Sequence, residues 1–312
     1  MMTTASENNQ TEIRQTLQEI FTRASMDDLP AMSSHVRELI SVINSNRATA
    51  GELTDAILKD FSLTNKILQV ANSAFYNRGV PVNSISRAVT VIGFNTVREL
   101  AMAIAIFEEF IQAGEDKEEL SRMLTMSFLA AMQVKSLAER KKLDIPMEDG
   151  FICGLLHRLG NIVVLVYLPE LYHEIIALMK DGLSEKKAAS SVLNGLTLNQ
   201  VGQELARVWN FSDHIIATMD PNPRHPKNPR DSDAILHNLV VYCNGVTAAI
   251  CRGHCFNRVL NEFRQLITMD RLEAINLVEK SVKVSEDTSP SIRKGLDLLR
   301  IHSRLQEART MQ

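Results

Sequence analysis

Apolar residues recur every three or four positions along nearly the whole chain, the period of an amphipathic helix rather than the alternation of a strand. Met32, Val36, Leu39, Ile40 and Ile43 form one such stripe, and the helix they predict ends near Asn44. Thr49-Ala50-Gly51-Glu52 reads as a capping box, in which the threonine side chain bonds the Glu52 amide and the glutamate reaches back. It opens a helix carrying Leu53, Ile57 and Phe61. Leu63, Ile67, Val70, Ala71 and Ala74 make the next stripe, closed by the turn residues Asn77, Arg78, Gly79 and Pro81. Ile85, Ala88, Val89 and Ile92 repeat the pattern up to Gly93, a C-terminal cap, and Asn95 is placed to cap the helix that follows.

Residues 113–119, rich in acidic side chains, predict a surface turn, and a long helix should run from there to about Lys142, with a break at Pro146. Residues 151–168 are the most apolar part of the chain and belong deep in the core. Their longest unbroken apolar run, Ile162 to Leu168, falls far short of the roughly 20 residues that span a bilayer. Four of the nine prolines lie between Pro221 and Pro229, an irregular loop closed by the N-cap candidates Asp231 and Ser232. Its Arg224, Lys227 and Arg230 form either a contact patch or a solvated loop. Residues 291–307, with Ile292, Leu296, Leu299 and Leu305, predict a C-terminal helical region that docks a partner or completes the fold. Short helices on short connections make an all-α bundle the expected fold class.

Composition agrees with this pattern. The 312 residues are 45% hydrophobic but only 5% aromatic, with few prolines and glycines, enough for one large or two medium helical domains. A net charge of -3 gives no overall attraction to nucleic acid or to an anionic membrane, and neither is expected as a partner. The N-terminus has no apolar signal core, so a cytoplasmic location is expected. Cys243, Cys251 and Cys255, with His254 beside the last, offer either a zinc site or buried thiols. Without a C-x2-C pair the buried thiols are the better reading.

The segment GFICGLLHRLGNIVV sets His157 and Arg158 at the edge of an apolar run. An aspartate after the histidine would suggest half of a metal site, whereas arginine supplies a fixed positive charge and no lone pair.

Several separated motifs carry a family resemblance. They are Leu63, Ile67 and Leu68 ahead of Ala71-Asn72-Ser73-Ala74-Phe75-Tyr76; Ile85, Ala88, Ile92-Gly93 and Val97-Arg98; Gly154-Leu155-Leu156-His157 with Gly160; and Val201-Gly202 followed by Trp209-Asn210-Phe211. Together they resemble the HDOD family, the HD-related output domains of bacterial signalling proteins. The resemblance divides the chain into a helical flank at 1–21, an HDOD domain at 22–220, and a proline-rich loop with a C-terminal helical region at 221–312 packed on the HD-like half.

It also implies a second half related to HD phosphohydrolases. Those enzymes hold one or two divalent metals on histidines, a His-Asp pair and a later aspartate, and use them to activate water. Here His157 remains, but Arg158 replaces the aspartate. Asn199 lies near an expected histidine, Met219-Asp220 near a later histidine pair, and Asn244 near the final aspartate. The reading is a degenerate HD site, with no cofactor and no catalytic residue. Arg158 then either receives an anion, a phosphate or a partner's carboxylate, or replaces the missing cation structurally by pairing with a buried acid or capping carbonyls. Asn72 and Ser73 should fix the loop that follows them. Phe75 and Tyr76 either anchor a partner or pack inward, and Trp209 belongs to the core. The function so implied is a non-catalytic signalling module acting by contact with a signalling protein. The alternatives are a metal-dependent nucleotide phosphohydrolase drawing on His157, His214, Asp220 or His237, and a nucleotide sensor in which Arg158 reads a phosphate.

Overall fold

The computed structural model describes residue 42, residues 49–59, 61–72, 82–98, 100–101, 104, 114–141, 147–209, 211–228, 231–253, 256–286 and 290–310, leaving out position 99. Among them there are helices and no strand, an all-α fold. The flank at 1–21, the stripe of Met32, Val36, Leu39, Ile40 and Ile43, Ser73, Phe75, Tyr76, the turn at 77–81, Arg230, His254 and Cys255 lie outside the described residues.

Three helices, α1 (Ala50–Leu58), α2 (Phe61–Asn72) and α3 (Ile85–Ile92), pack on one another through Leu53, Ile57, Leu63, Ile67 and Ile85. The capping box opens α1: the Glu52 amide donates to Thr49 Oγ1 at 3.2 Å and the Thr49 amide to Glu52 Oε2 at 2.8 Å. Those bonds hold the Glu52 carboxyl below its ordinary range. Asn72, at the end of α2, donates to the carbonyls of Leu68 and Val82 and accepts from the Val82 amide at 2.7 Å. One side chain thus ties down a chain segment ten residues ahead. Beyond α3 the expected cap is corrected. Gly93, at φ 91°, ends α3, and its carbonyl accepts from the Val97 amide at 3.1 Å, so the next helical turn begins at Phe94 with Asn95 inside it.

The long α4 (Lys117–Lys141) is the hub of the rest. Asp116 caps it, accepting from the Glu119 amide at 3.0 Å. The apolar stretch after it splits at a turn on His157 and Arg158 into α5 (Met147–Leu156) and α6 (Leu159–Tyr167). Every residue of α6 from Leu159 to Val166 is buried. Then come α7 (Pro169–Lys180), α8 (Glu185–Val192), α9 (Leu198–Val208) and the short α10 (Asp213–Ala217). Helices α6 and α9 cross closely enough that a Cβ on Gly160 would stand 1.7 Å from the Leu198 carbonyl oxygen and 2.8 Å from the Gly202 amide. The two motif glycines are therefore what lets the helices touch. Trp209, at the end of α9, is 1% exposed.

Asp231 caps α11 (Ser232–Arg252), accepting from the Ala234 amide at 3.2 Å. Helix α11 lies against α4 and α5, and α12 (Phe256–Phe263), α13 (Arg271–Glu286), α14 (Pro290–Leu299) and α15 (Ile301–Thr310) follow. The C-terminal region is two helices, not one, because Arg300 adopts φ 50° between them. Leu296, Leu299, Ile301 and Leu305 are buried, so these helices complete the core. Among the described residues two stretches, Gly150–Tyr167 and Ser232–Arg252, are long and apolar enough to cross a membrane, and they are 89% and 83% buried in this core.

Candidate functional site

The turn between α5 and α6 points its two polar side chains in different directions. His157 is 7% exposed, and its Nδ1 lies 2.8 Å from the Thr218 carbonyl just past α10. A carbonyl only accepts, so Nδ1 carries the proton and Nε2 keeps the lone pair. Burial, with the Arg158 charge beside it, lowers the His157 pKa to about 4, so the ring is neutral at physiological pH. His237, on α11, donates from Nε2 to the Asn222 carbonyl at 2.7 Å and leaves a buried Nδ1 with no partner. Asp220 lies near both rings, but its Oδ1 accepts from the Asn222 amide and side chain, at 3.0 and 2.7 Å.

Arg158 turns toward α11 instead. Its Nη2 donates to the Asn244 carbonyl at 3.3 Å. Burial lowers its pKa, and the nearby charge of Arg252 lowers it further. Asn244, wholly buried, donates to the Gly154 and Val240 carbonyls, and its Oδ1 has no partner. Around the two arginines stand Glu119, 3.6 Å from Arg252, Tyr172 and Glu185. Burial pulls the Arg252 guanidinium down, but Tyr172, Glu119 and Glu185 outweigh it and hold its pKa above the ordinary value.

The five residues read from sequence as one cavity, His157, Arg158, Asn199, Asp220 and Asn244, are thus divided. His157 and Asp220 sit on the α10 side with His237, and Arg158 and Asn244 meet at α11. Asn199 donates to the Met219 carbonyl at 2.8 Å, so its amide group braces the same connection. His214 pairs with Asp233 at 3.4 Å instead of joining His157. Among the described residues no three His, Cys, Asp or Glu side chains converge to hold a metal ion. The donor set does not fit the divalent metal of an HD phosphohydrolase: the two free imidazole lone pairs lack convergent carboxylates, and a guanidinium occupies the aspartate position. Among the described residues the cysteines likewise form no ligand cluster. Burial lifts the Cys251 thiol to about 12 and raises that of Cys243, which leaves both as small hydrophobes.

A groove of about 1100 Å³ runs beside this region. Asn199, Gln203, Asp220 and Asn222 line one wall, and Gly245, Ala248, Arg252 and Arg258 line the other. Arg252, Glu185 and Glu119 had no local signal in the sequence. An arginine in the last turn of a helix reads simply as a complement to the helix dipole, and only the fold brings Glu119, Tyr172 and Glu185 beside it.

The HDOD domain profile matches residues 29–222, more than half of the chain, and the protein belongs to the HDOD family. A curated relative, an uncharacterized protein of Treponema pallidum (strain Nichols), is 22% identical over 219 residues, 70% of this chain and 42% of its own length. The chain therefore spans less than half of that relative. An HDOD domain protein of unknown function from Geobacter sulfurreducens has a similar fold, with TM-score 0.57, 20% identity, and coverage of 98% of this chain and 100% of its own. A candidate phosphohydrolase from Shewanella amazonensis SB2B gives TM-score 0.57 at 21% identity, covering 93% and 96%. A candidate signal transduction protein from Marinobacter aquaeolei VT8 gives 0.51 at 19%, covering 94% of this chain and 66% of its own.

Proposed function

We propose that this protein is a non-catalytic signalling module that acts in the cytoplasm through contact with another signalling protein. One observation carries the loss of catalysis. Arg158 stands where an HD aspartate would hold a metal, and its guanidinium is tied to the Asn244 carbonyl at the place where the site's last ligand is expected. A fixed cation there repels a second one, and His157, Asn199 and Asn244 are bonded to backbone carbonyls instead of converging on an open position. What remains of the ligand set joins α5, α9, α10 and α11 into one rigid unit.

The test is metal content and hydrolysis together, on full-length protein purified without chelator. The expected result is less than stoichiometric manganese, iron or nickel, and no metal-dependent turnover of p-nitrophenyl phosphate or its diester above buffer. Stoichiometric metal, with turnover abolished by His157→Ala, would overturn the proposal in favour of a phosphohydrolase with a rearranged ligand set.

A further inference from the structure

The groove carries chemistry that a module working only by surface contact does not use. Its α9 wall presents Asn199 and Gln203, one helical turn apart. Both amides are fixed in the same sense: Asn199 Nδ2 donates to the Met219 carbonyl at 2.8 Å and Gln203 Nε2 to the Ile216 carbonyl at 3.2 Å. With the NH2 groups engaged, the amide oxygens are the atoms left to accept from something in the groove.

The facing wall is different in kind. Arg252 ends α11 and Arg258 lies on α12, across the turn at Gly253, and both line the groove. Arg158 stands close enough behind for its charge and that of Arg252 to interact. It has no carboxylate in ion-pair range among the described residues. Arg252 is engaged by Glu119 at 3.6 Å and hydrogen-bonded to Tyr172, but a guanidinium has five N–H donors, and these two partners do not take them all. Glu185 and Glu262 also line the groove, with Lys180 and Lys186. The charges therefore nearly balance, which suits one compact oxyanion and not a polyanion. Between the walls, Gly245 and Ala248 keep the α11 face low.

We propose that the groove binds a small phosphorylated ligand with hydroxyl or amine donors, its oxyanion on Arg252 and Arg258 and its donors on Asn199 Oδ1 and Gln203 Oε1. The volume of about 1100 Å³ accommodates such a molecule. The pairing of an acceptor wall with a guanidinium wall is the chemistry of a phosphorylated polyol or nucleotide, and occupancy would bridge α9 to α11 and α12 across the groove. This goes beyond the loss of the metal site and is tested separately from it, since metal content bears on that reading and ligand binding on this one.

The experiment is a calorimetric titration of the full chain with inorganic phosphate, ribose 5-phosphate and ribose at matched ionic strength. Saturable binding of both phosphate probes is expected, with ribose 5-phosphate the tighter and ribose alone silent. R258Q should weaken phosphate binding by about tenfold or more, the loss of a charged hydrogen bond. Arg258 is exposed, so its removal does not threaten the fold; R252Q, which also breaks the Glu119 pair, is read beside R252K. Gln203→Ala should erase the advantage of ribose 5-phosphate over phosphate. No saturable response to either phosphate probe, or binding that survives R252Q combined with R258Q, overturns the proposal. An advantage of ribose 5-phosphate that persists in Gln203→Ala overturns the α9 half of it.

Discussion

His157 is held neutral by the protein around it, and stability must reflect that. Burial brings the folded imidazole to about 4, against 6.5 for an exposed histidine. Between those values the unfolded chain takes up a proton that the folded chain refuses. The contribution is complete above pH 6.5 and is lost as pH falls through the window, by at most about 3 kcal/mol. His237, lowered by burial as well, acts in the same direction. The urea midpoint of the full chain should therefore drop between pH 7 and pH 4.5, and His157→Asn should flatten that slope. An unchanged slope in the variant would mean that His157 is not the proton-linked group. At this scale the sequence singled out the right turn, because a His-Arg pair beside an apolar run is conspicuous. It could not supply the partners, since Thr218 and Asn244 are 61 and 86 residues away and only the fold brings them near.

The helices depend on a few side chains that act over distance. Asn238, buried on α11, accepts from the Arg224 amide at 2.8 Å and donates to the Arg224 carbonyl at 2.6 Å. It pins the proline-rich loop as Asn72 pins Val82. Arg224 also donates to the Ala217 carbonyl at 3.0 Å, so its charge is tied inward and is not a free contact patch. Asn238→Ala should cost about 1–3 kcal/mol locally. Limited proteolysis should then cut faster near residues 221–230, while the melting of the core moves little. At the crossing of α6 and α9, Gly160→Ala drives a methyl group into the Leu198 carbonyl. Backbone has little freedom to retreat there, so a loss of about 3 kcal/mol in urea unfolding is expected. Local caps such as Thr49 and Asp231 were legible because they act within four residues. Gly93 was legible too, as the glycine that ends α3, but the break at Arg300 was not, since an arginine at φ 50° leaves no local signal in the sequence.

The family match stops at residue 222, but the folded unit does not. Helix α11, wholly beyond that point, packs on α4 and α5, buries Leu236, Leu239, Val240, Val246 and Ile250, and carries Asn244 and Arg252 of the candidate site. Helices α13 and α14 cover further parts of α4. A chain ending at residue 222 would expose those faces of α4 and α5. With each large aliphatic side chain worth about 1.5–3 kcal/mol when buried, the loss of five from α11 alone is comparable to the whole stability of a domain. The truncated protein should lack a cooperative thermal transition by circular dichroism and bind a hydrophobic dye, whereas the full chain should unfold in one step. Cooperative unfolding of the shorter chain would show instead that α1 to α10 form an independent unit and that the C-terminal helices are an accessory. In that case the site at α11 would be assembled across a separable interface, and the coupling of Arg158 to Asn244 would become a means of sensing whether the two parts are joined.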